Sequence, residues 1–219
     1  MRNYFKFGLL VIVFQGFSVC FAGSYEDFFL AIDKDNPAIV QTLLERGFDP
    51  NTVNPRGAPA LMVAIKAPAP RVTEVLLAHP EIKVEIRNPQ DESALMLAAF
   101  SGNLALCEAL VAKDADINKP GWTALHYAST NGHLVVMQYL VDRFAYVDAA
   151  SPNGTTPLMM AAMYSNSSAV KLLLEAGADP GLKNEKGLTA LDFAQQAQKD
   201  DSKGIIAAFI RARRPKGVW

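Results

Sequence analysis

The chain has 219 residues, of which 50% are hydrophobic and 20% charged, and a formal net charge of −1. That is enough apolar material for a buried core, and it excludes a disordered polyelectrolyte. So even a balance of charge provides no field for steering onto nucleic acid.

At the start, Arg2 and Lys6 precede an apolar run from Phe7 to Phe17, and Cys20-Phe21-Ala22 puts small residues at the minus-three and minus-one sites of a peptidase. The pattern is that of a secretory signal over residues 1–22, cut after Ala22, which predicts a periplasmic or secreted protein. An uncleaved anchor is the alternative, although the run is short of the roughly 20 residues a span needs and Gln15-Gly16 interrupts it. A lipoprotein acylated at Cys20 is a further one, with Phe-Ser-Val a poor lipobox. Cleavage removes two bases and no acids, leaving a formal charge of −3, and leaves Cys107 as the one cysteine. An internal disulfide is then impossible, and stability must come from packing.

From residue 25 onward the chain repeats itself. Gly-x-Thr-x-Leu recurs as GWTAL at Gly121, GTTPL at Gly154 and GLTAL at Gly187, a period of 33 residues. The leucine slot runs through Phe28, Leu61, Leu95, Leu125, Leu158 and Leu191. Fifteen residues after each lies a second apolar anchor: Leu43, Leu76, Leu110, Leu140, Leu173 and Ile206. Two anchors per period predict two helices per unit, with units at 25–56 (an N-terminal cap), 57–90, 91–120, 121–153, 154–186 and 187–217 (a C-terminal cap) within an array over 23–217. Small residues on the first helices (Ala98-Ala99, Ala128-Ser129, Ala161-Ala162) allow close helix approach.

Departures from the repeat predict local differences. Gly47 and Gly177 fill the left-handed slot that ends a second helix, whereas Asp114 and Phe144 stand there in other units. Phenylalanine takes that conformation at a cost of about 1–2 kcal/mol, so either the turn at Phe144 has another shape or its ring packs well enough to offset the strain. Pro70 can open the second helix of its unit, and Pro80 at the terminal slot demands a different exit. The finger "INKPGW" is three residues short, which predicts a stubby hairpin and a bend or changed spacing near residues 118–122. At the far end Arg211, Arg213, Arg214 and Lys216 can solvate the last helix where its dipole favours cations.

These features resemble the ankyrin repeat. "TTPLMMAA" at 155–162 and "TALHYAS" at 123–129 match the family's Thr-Pro-Leu-His-x-Ala-Ala helix start, Gly132-His133 its turn, and Leu173-Leu174 through Gly177-Ala178-Asp179 its ending. The resemblance implies an all-α solenoid of helix-turn-helix units with short hairpin-like finger turns. It gives Thr123 and His126 a structural hydrogen bond at the head of a first helix, His133 a place in the turn and Gly177 the left-handed cap. No residue is thereby left for catalysis, no ligand set for a metal, and no cofactor is expected. Cys107 shares the inner slot of Val40, Thr73, Met137 and Val170 and reads as a small buried apolar residue, with an enzyme or redox protein using that thiol as the competing reading.

In this family the finger tips and the ends of the first helices line the concave face. Carried over residue by residue, that face receives Lys66, Phe100, Thr130, Met163 and Tyr164 from helix ends and Arg56, Gln90, Glu92, Trp122, Asn153, Thr155, Glu185 and Lys186 from the fingers. Trp122 stands out, because tryptophan is enriched at interface hot spots; the alternative is that the short finger folds it back as packing. The expected function is a non-catalytic scaffold or adaptor of the cell envelope, a monomer that binds a protein partner, not nucleic acid, and does not insert in the membrane after signal cleavage. A membrane-tethered adaptor is the alternative.

Overall fold

In the computed structural model, residues 23–213 are described. The signal reading of residues 1–22, Cys20 included, and the cations Arg214 and Lys216 lie outside them. The described residues fall into two compact units divided after Pro89. The first holds α1 (23–33), α2 (Pro37–Glu45), α3 (Ala60–Lys66) and α4 (Pro70–Ala78). The second holds α5 (Ala94–Phe100), α6 (Leu104–Val111), α7 (Ala124–Asn131), α8 (Leu134–Asp142), α9 (Pro157–Tyr164), α10 (Ser167–Glu175), α11 (Ala190–Gln196) and α12 (Asp200–Arg213). Among the described residues no helix is long and apolar enough to cross a membrane.

The first helices of the second unit start at a hydroxyl. Ser93, Thr123, Thr156 and Thr189 cap α5, α7, α9 and α11, each accepting a bond from the amide three residues on. The residue at that third position returns the bond, through Met96 Sδ, His126 Nδ1, Met159 Sδ and Asp192 Oδ2. A thioether, an imidazole and a carboxylate thus do one job, satisfying an amide that the first turn leaves open. The second helices α6 and α10 are capped by the side chains of Asn103 and Asn166.

Within the second unit α7 packs between α5 and α9, and α9 between α7 and α11; the outer helices α6, α8, α10 and α12 follow one another in a parallel row. Leu95, Leu125 and Leu158 of the inner row and Leu110, Leu140, Leu173 and Ile206 of the outer row are fully buried between them. Leu191 is only half-buried, because α11 has one neighbouring inner helix among the described residues, α9. Ala98, Ala99, Ala128, Ser129, Ala161 and Ala162 have no exposed surface, as close packing of the inner row requires. Inner helices stay in contact across residues 118–122, so the short finger does not open the stack.

Histidines tie neighbouring repeats together. His126 is fully buried, with Nε2 2.9 Å from the Thr155 carbonyl of the next repeat and Nδ1 2.9 Å from Thr123 Oγ1. A carbonyl only accepts, so Nε2 carries the proton and Nδ1 accepts from Thr123. Burial holds the ring neutral by lowering its pKa to about 4. His133 reaches the other way, Nε2 2.9 Å from the Phe100 carbonyl, and lies over Gly102, where a Cβ would stand 2.5 Å from its Nδ1.

The turns carry the departures. Gly47, Gly177 and Asp114 are left-handed as expected, and α4 leaves through His79 in an extended conformation before Pro80. Phe144 answers to neither expectation, since it takes φ 62° and its ring is 83% exposed. What holds the turn is the side chain of Asn118 in the preceding repeat, donating to the Phe144 carbonyl at 2.9 Å and accepting from the Tyr146 amide at 2.7 Å. Asn51 does the same in the first unit, to the Glu81 carbonyl and the Lys83 amide.

Two predictions follow from these strains and burials. Phe144→Gly removes the Cβ from a left-handed residue and loses no packing, so urea unfolding should show a gain of about 0.5–1 kcal/mol. His126 binds a proton in the unfolded chain near its ordinary pKa of 6.5 and in the folded one only near 4. Stability therefore declines as pH falls from about 6.5 towards 4, by at most about 3 kcal/mol from this group. A His126→Gln variant should unfold with a shallower pH slope across that window.

Candidate functional site

On the inner-helix side of the second unit a partly open pocket of about 210 Å³ is lined by Phe100, Trp122, His126, Tyr127, Thr130 and Met160. Helical periodicity builds it. Phe100 is the last residue of α5 and is 48% exposed; Tyr127 and Thr130, three apart on α7, share one face beside it. The Phe100 and Tyr127 rings meet edge to face at 6.0 Å, and Trp122 meets His126 edge to face at 5.1 Å. Thr130 Oγ1 donates to the His126 carbonyl, and the Tyr127 hydroxyl donates to Glu92 Oε1 at 3.1 Å. The surface these residues present to the pocket is apolar.

Trp122 is half-buried: it rests one edge on His126 and gives the remainder to the pocket. Its position depends on a residue the sequence reading passed over. Lys119 is buried to 2%, and its ammonium stands 2.5 Å from Asp91 Oδ2, 3.0 Å from the Pro120 carbonyl and 3.4 Å from the carbonyl of Trp122 itself. In the longer fingers Asn54 and Asn184 close the turn by accepting two backbone amides each. Where three residues are missing, a lysine stem fills the space and its head gathers carbonyls instead. The deletion before Trp122 marked the place; nothing in the sequence singled out Lys119 or its partner Asp91.

The other candidates are dispersed. Tyr164 is exposed and Met163 half-buried at the end of α9, but neither lines the pocket; Met160, one turn earlier, does. Asn153 and Lys186 are exposed, and the Asn153 side chain is engaged in its own turn, accepting from Ser151 Oγ and the Thr155 amide. Thr155 corrects the expectation of an exposed finger residue, being buried to 3% where its carbonyl takes the His126 bond. Lys66 and Arg56 are exposed residues of the first unit. Tyr127 was missed because its slot reads as helix interior; only the tertiary neighbours reveal the ring's second face.

Cys107 is fully buried, and burial, with the adjacent Glu108 charge, pushes its thiol up to about 12. An activated thiolate needs the opposite shift. Among the described residues no group of three or more His, Cys, Asp or Glu side chains is placed to hold a metal ion.

Lys119→Met keeps the stem and removes the donor, leaving two finger carbonyls without their bond while Asp91, 63% exposed, stays hydrated. Equilibrium unfolding should show a loss of about 1–3 kcal/mol, with a shift in Trp122 emission as its carbonyl is released.

Several known proteins are similar to this chain. The nuclear factor NF-kappa-B p105 subunit of Gallus gallus is 28% identical over 185 residues, covering 81% of this chain and 19% of that protein. The ankyrin repeat and SAM domain-containing protein 6 of Mus musculus is 33% identical over 130 residues, 57% of this chain and 14% of that one. The chain therefore spans a fifth or less of the length of these relatives. Among solved structures, a chain in the complex of the Bd0816 predatory endopeptidase from Bdellovibrio bacteriovorus with immunity protein Bd3460 superimposes with a TM-score of 0.72. It has 25% identity, with 83% of this chain and 97% of that chain covered. The family model for ankyrin repeats in three copies matches residues 28–120, 118–184 and 144–206. With nearly all of its described length matched, and with capped helix pairs stacked inner row to inner row, this chain belongs to the ankyrin-repeat family.

Proposed function

We propose that the chain is a non-catalytic binding protein of the cell envelope, exported by residues 1–22, which grips a protein partner with the inner-helix face of its second unit. Ankyrin repeats suggest protein–protein interaction. The observation that carries the finer reading is the pocket at Trp122, whose walls are apolar and whose supports are complete without a ligand. Lys119 fixes the finger backbone and His126 fixes the ring edge that Trp122 leans on. A surface ordered on folding loses little further freedom on binding, and its aromatic residues are of the kind that dominate interface energetics.

The structural neighbour supports a narrower class of partner. A chain of similar size and fold, matched over 97% of its length, occurs in a complex between an endopeptidase and an immunity protein. That favours an exported hydrolase as the partner here, held by a protein that does no chemistry of its own. Export rests on the sequence of residues 1–22, and a mature N-terminus at Gly23 is the outcome it requires; a retained leader would point to the tethered adaptor.

The decisive experiment captures partners from envelope extract on the mature protein, identifies them by mass spectrometry and titrates the main one against variants. Trp122→Ala should weaken that complex at least about thirtyfold, as a hot-spot residue does, and cost about 1–2 kcal/mol in unfolding, since the ring is half-buried. Phe100→Ala, at an exposed position, should weaken binding with little change in stability. Undiminished affinity in both variants would refute the assignment of this face.

A further inference from the structure

Asn51 and Asn118 hold the turn of the next repeat with both ends of the side-chain amide. The NH2 group donates to a carbonyl, that of Glu81 or of Phe144, at 2.9 Å in each case. The oxygen accepts from the backbone amide two residues on, that of Lys83 at 2.8 Å or of Tyr146 at 2.7 Å. In the repeat over 121–153 the matching residue is Asp148, which stands three places after Ala145 as Asn118 stands three after Ala115. One period on from Phe144 and Tyr146, its targets are the Gly177 carbonyl and the Asp179 amide. A carboxylate has no proton to donate. Both of its oxygens turn to the Asp179 amide instead, at 3.0 and 3.1 Å.

An ionised oxygen set against a carbonyl is repelled by it, which accounts for two oxygens sharing one N–H. Two charged groups act on this carboxyl: Asp179 on the turn it holds, and Arg213 at the end of α12, whose guanidinium also donates to the Ala178 carbonyl at 3.4 Å. Partial desolvation raises the Asp148 pKa above the ordinary aspartate value, and the Asp179 charge adds to the rise; the Asp179 amide and Arg213 pull it down without cancelling it. A protonated carboxyl has the asparagine pattern, with one oxygen to accept from the Asp179 amide and an O–H to donate to the Gly177 carbonyl. The same two repeats are joined by His126 and the Thr155 carbonyl, a bond that acid opposes. Asp148 answers acid in the opposite sense.

We propose that Asp148 is a proton-operated clamp between the repeat over 121–153 and the next: ionised, it holds the turn after α10 by one backbone amide, and protonated, it also binds the Gly177 carbonyl and tightens the joint. A carboxyl whose pKa rises on folding adds stability that is fully present below its unfolded value of about 3.9 and is lost as the pH rises through the folded value. Asp148 is an exposed residue, so the gain is modest, that of one neutral hydrogen bond. The clamp belongs to the frame of the repeat that carries Trp122 and stands whether or not that face binds a partner.

The test compares the protein with its Asp148→Asn variant, which carries both ends of the clamp at every pH. At about pH 7 the variant should melt about 2–4 °C higher, the shift that one added hydrogen bond produces in a chain of this size. The advantage should at least halve by about pH 4, where the unaltered carboxyl takes up its proton and makes the same two bonds. Every other titrating group, His126 included, is common to the two proteins and cancels in the difference. In the unaltered protein, the carboxyl carbon of Asp148 followed by NMR as the pH is lowered should titrate with a midpoint above about 3.9, a readout independent of whether the variant folds. An unchanged or lower melting temperature for Asp148→Asn at about pH 7, an advantage that does not vary with pH, or a midpoint at or below about 3.9 would each overturn the proposal.

Discussion

Helices of seven to nine residues, the length of those from α2 to α11, cannot hold themselves together in water, because the cost of nucleating a turn is spread over too few bonds. Each first helix of the second unit exists because a hydroxyl caps its start and because neighbouring helices cover its apolar side. The burial of Leu125 and Leu158 between adjacent repeats and the bond from His126 to the Thr155 carbonyl are two expressions of one dependence. A repeat is stable as a neighbour of other repeats, which is the nearest-neighbour logic of solenoid proteins.

That dependence frees the finger turns and inner-helix ends for other work. The packing positions are occupied by small or aliphatic residues, while Phe100, Trp122 and Tyr127 sit where the stack makes no demand for a ring. The turns themselves are held by side chains reaching across one repeat, as Asn51 holds the Glu81–Lys83 turn and Asn118 the Phe144–Tyr146 turn. Asn118 explains how a phenylalanine survives in a left-handed conformation with its ring in solvent: the turn is fixed by bonds to its backbone, not by its side chain. The pocket therefore rides on a frame whose turns are held by hydrogen bonds from neighbouring repeats.

Charge is handled with the same economy at the short finger. A lysine buried to 2% would be costly alone, but its ammonium finds a carboxylate and two carbonyls, and Asp91 remains mostly in water. The pair replaces the asparagine-closed hairpin of the longer fingers with an ionic one and sets the backbone of Trp122. His126, lowered by burial to about 4, completes the support as a neutral ring in one tautomer.

The period of 33, the two helices per unit and the buried anchors were legible in the residues alone, because each repeat buries the same faces and so repeats the same apolar pattern. Thr123, His126, His133 and Gly177 were legible through the ankyrin resemblance, which assigns each to a helix start, a turn or a cap; the carbonyls that His126 and His133 reach in neighbouring repeats are set by the stack. The site was legible only in part. Trp122, Phe100 and Thr130, which the family resemblance put on one face, line a single pocket with Met160 and Tyr127, while Met163 and Tyr164 lie outside its lining. One residue of helix register decides which side chain faces a neighbouring repeat, and that register is set by packing between repeats. The buried ammonium of Lys119 belongs wholly to the tertiary structure. A lysine in a loop is ordinarily solvated, and only the coincidence of a shortened finger, two carbonyls and Asp91 from the preceding finger turns this one inward.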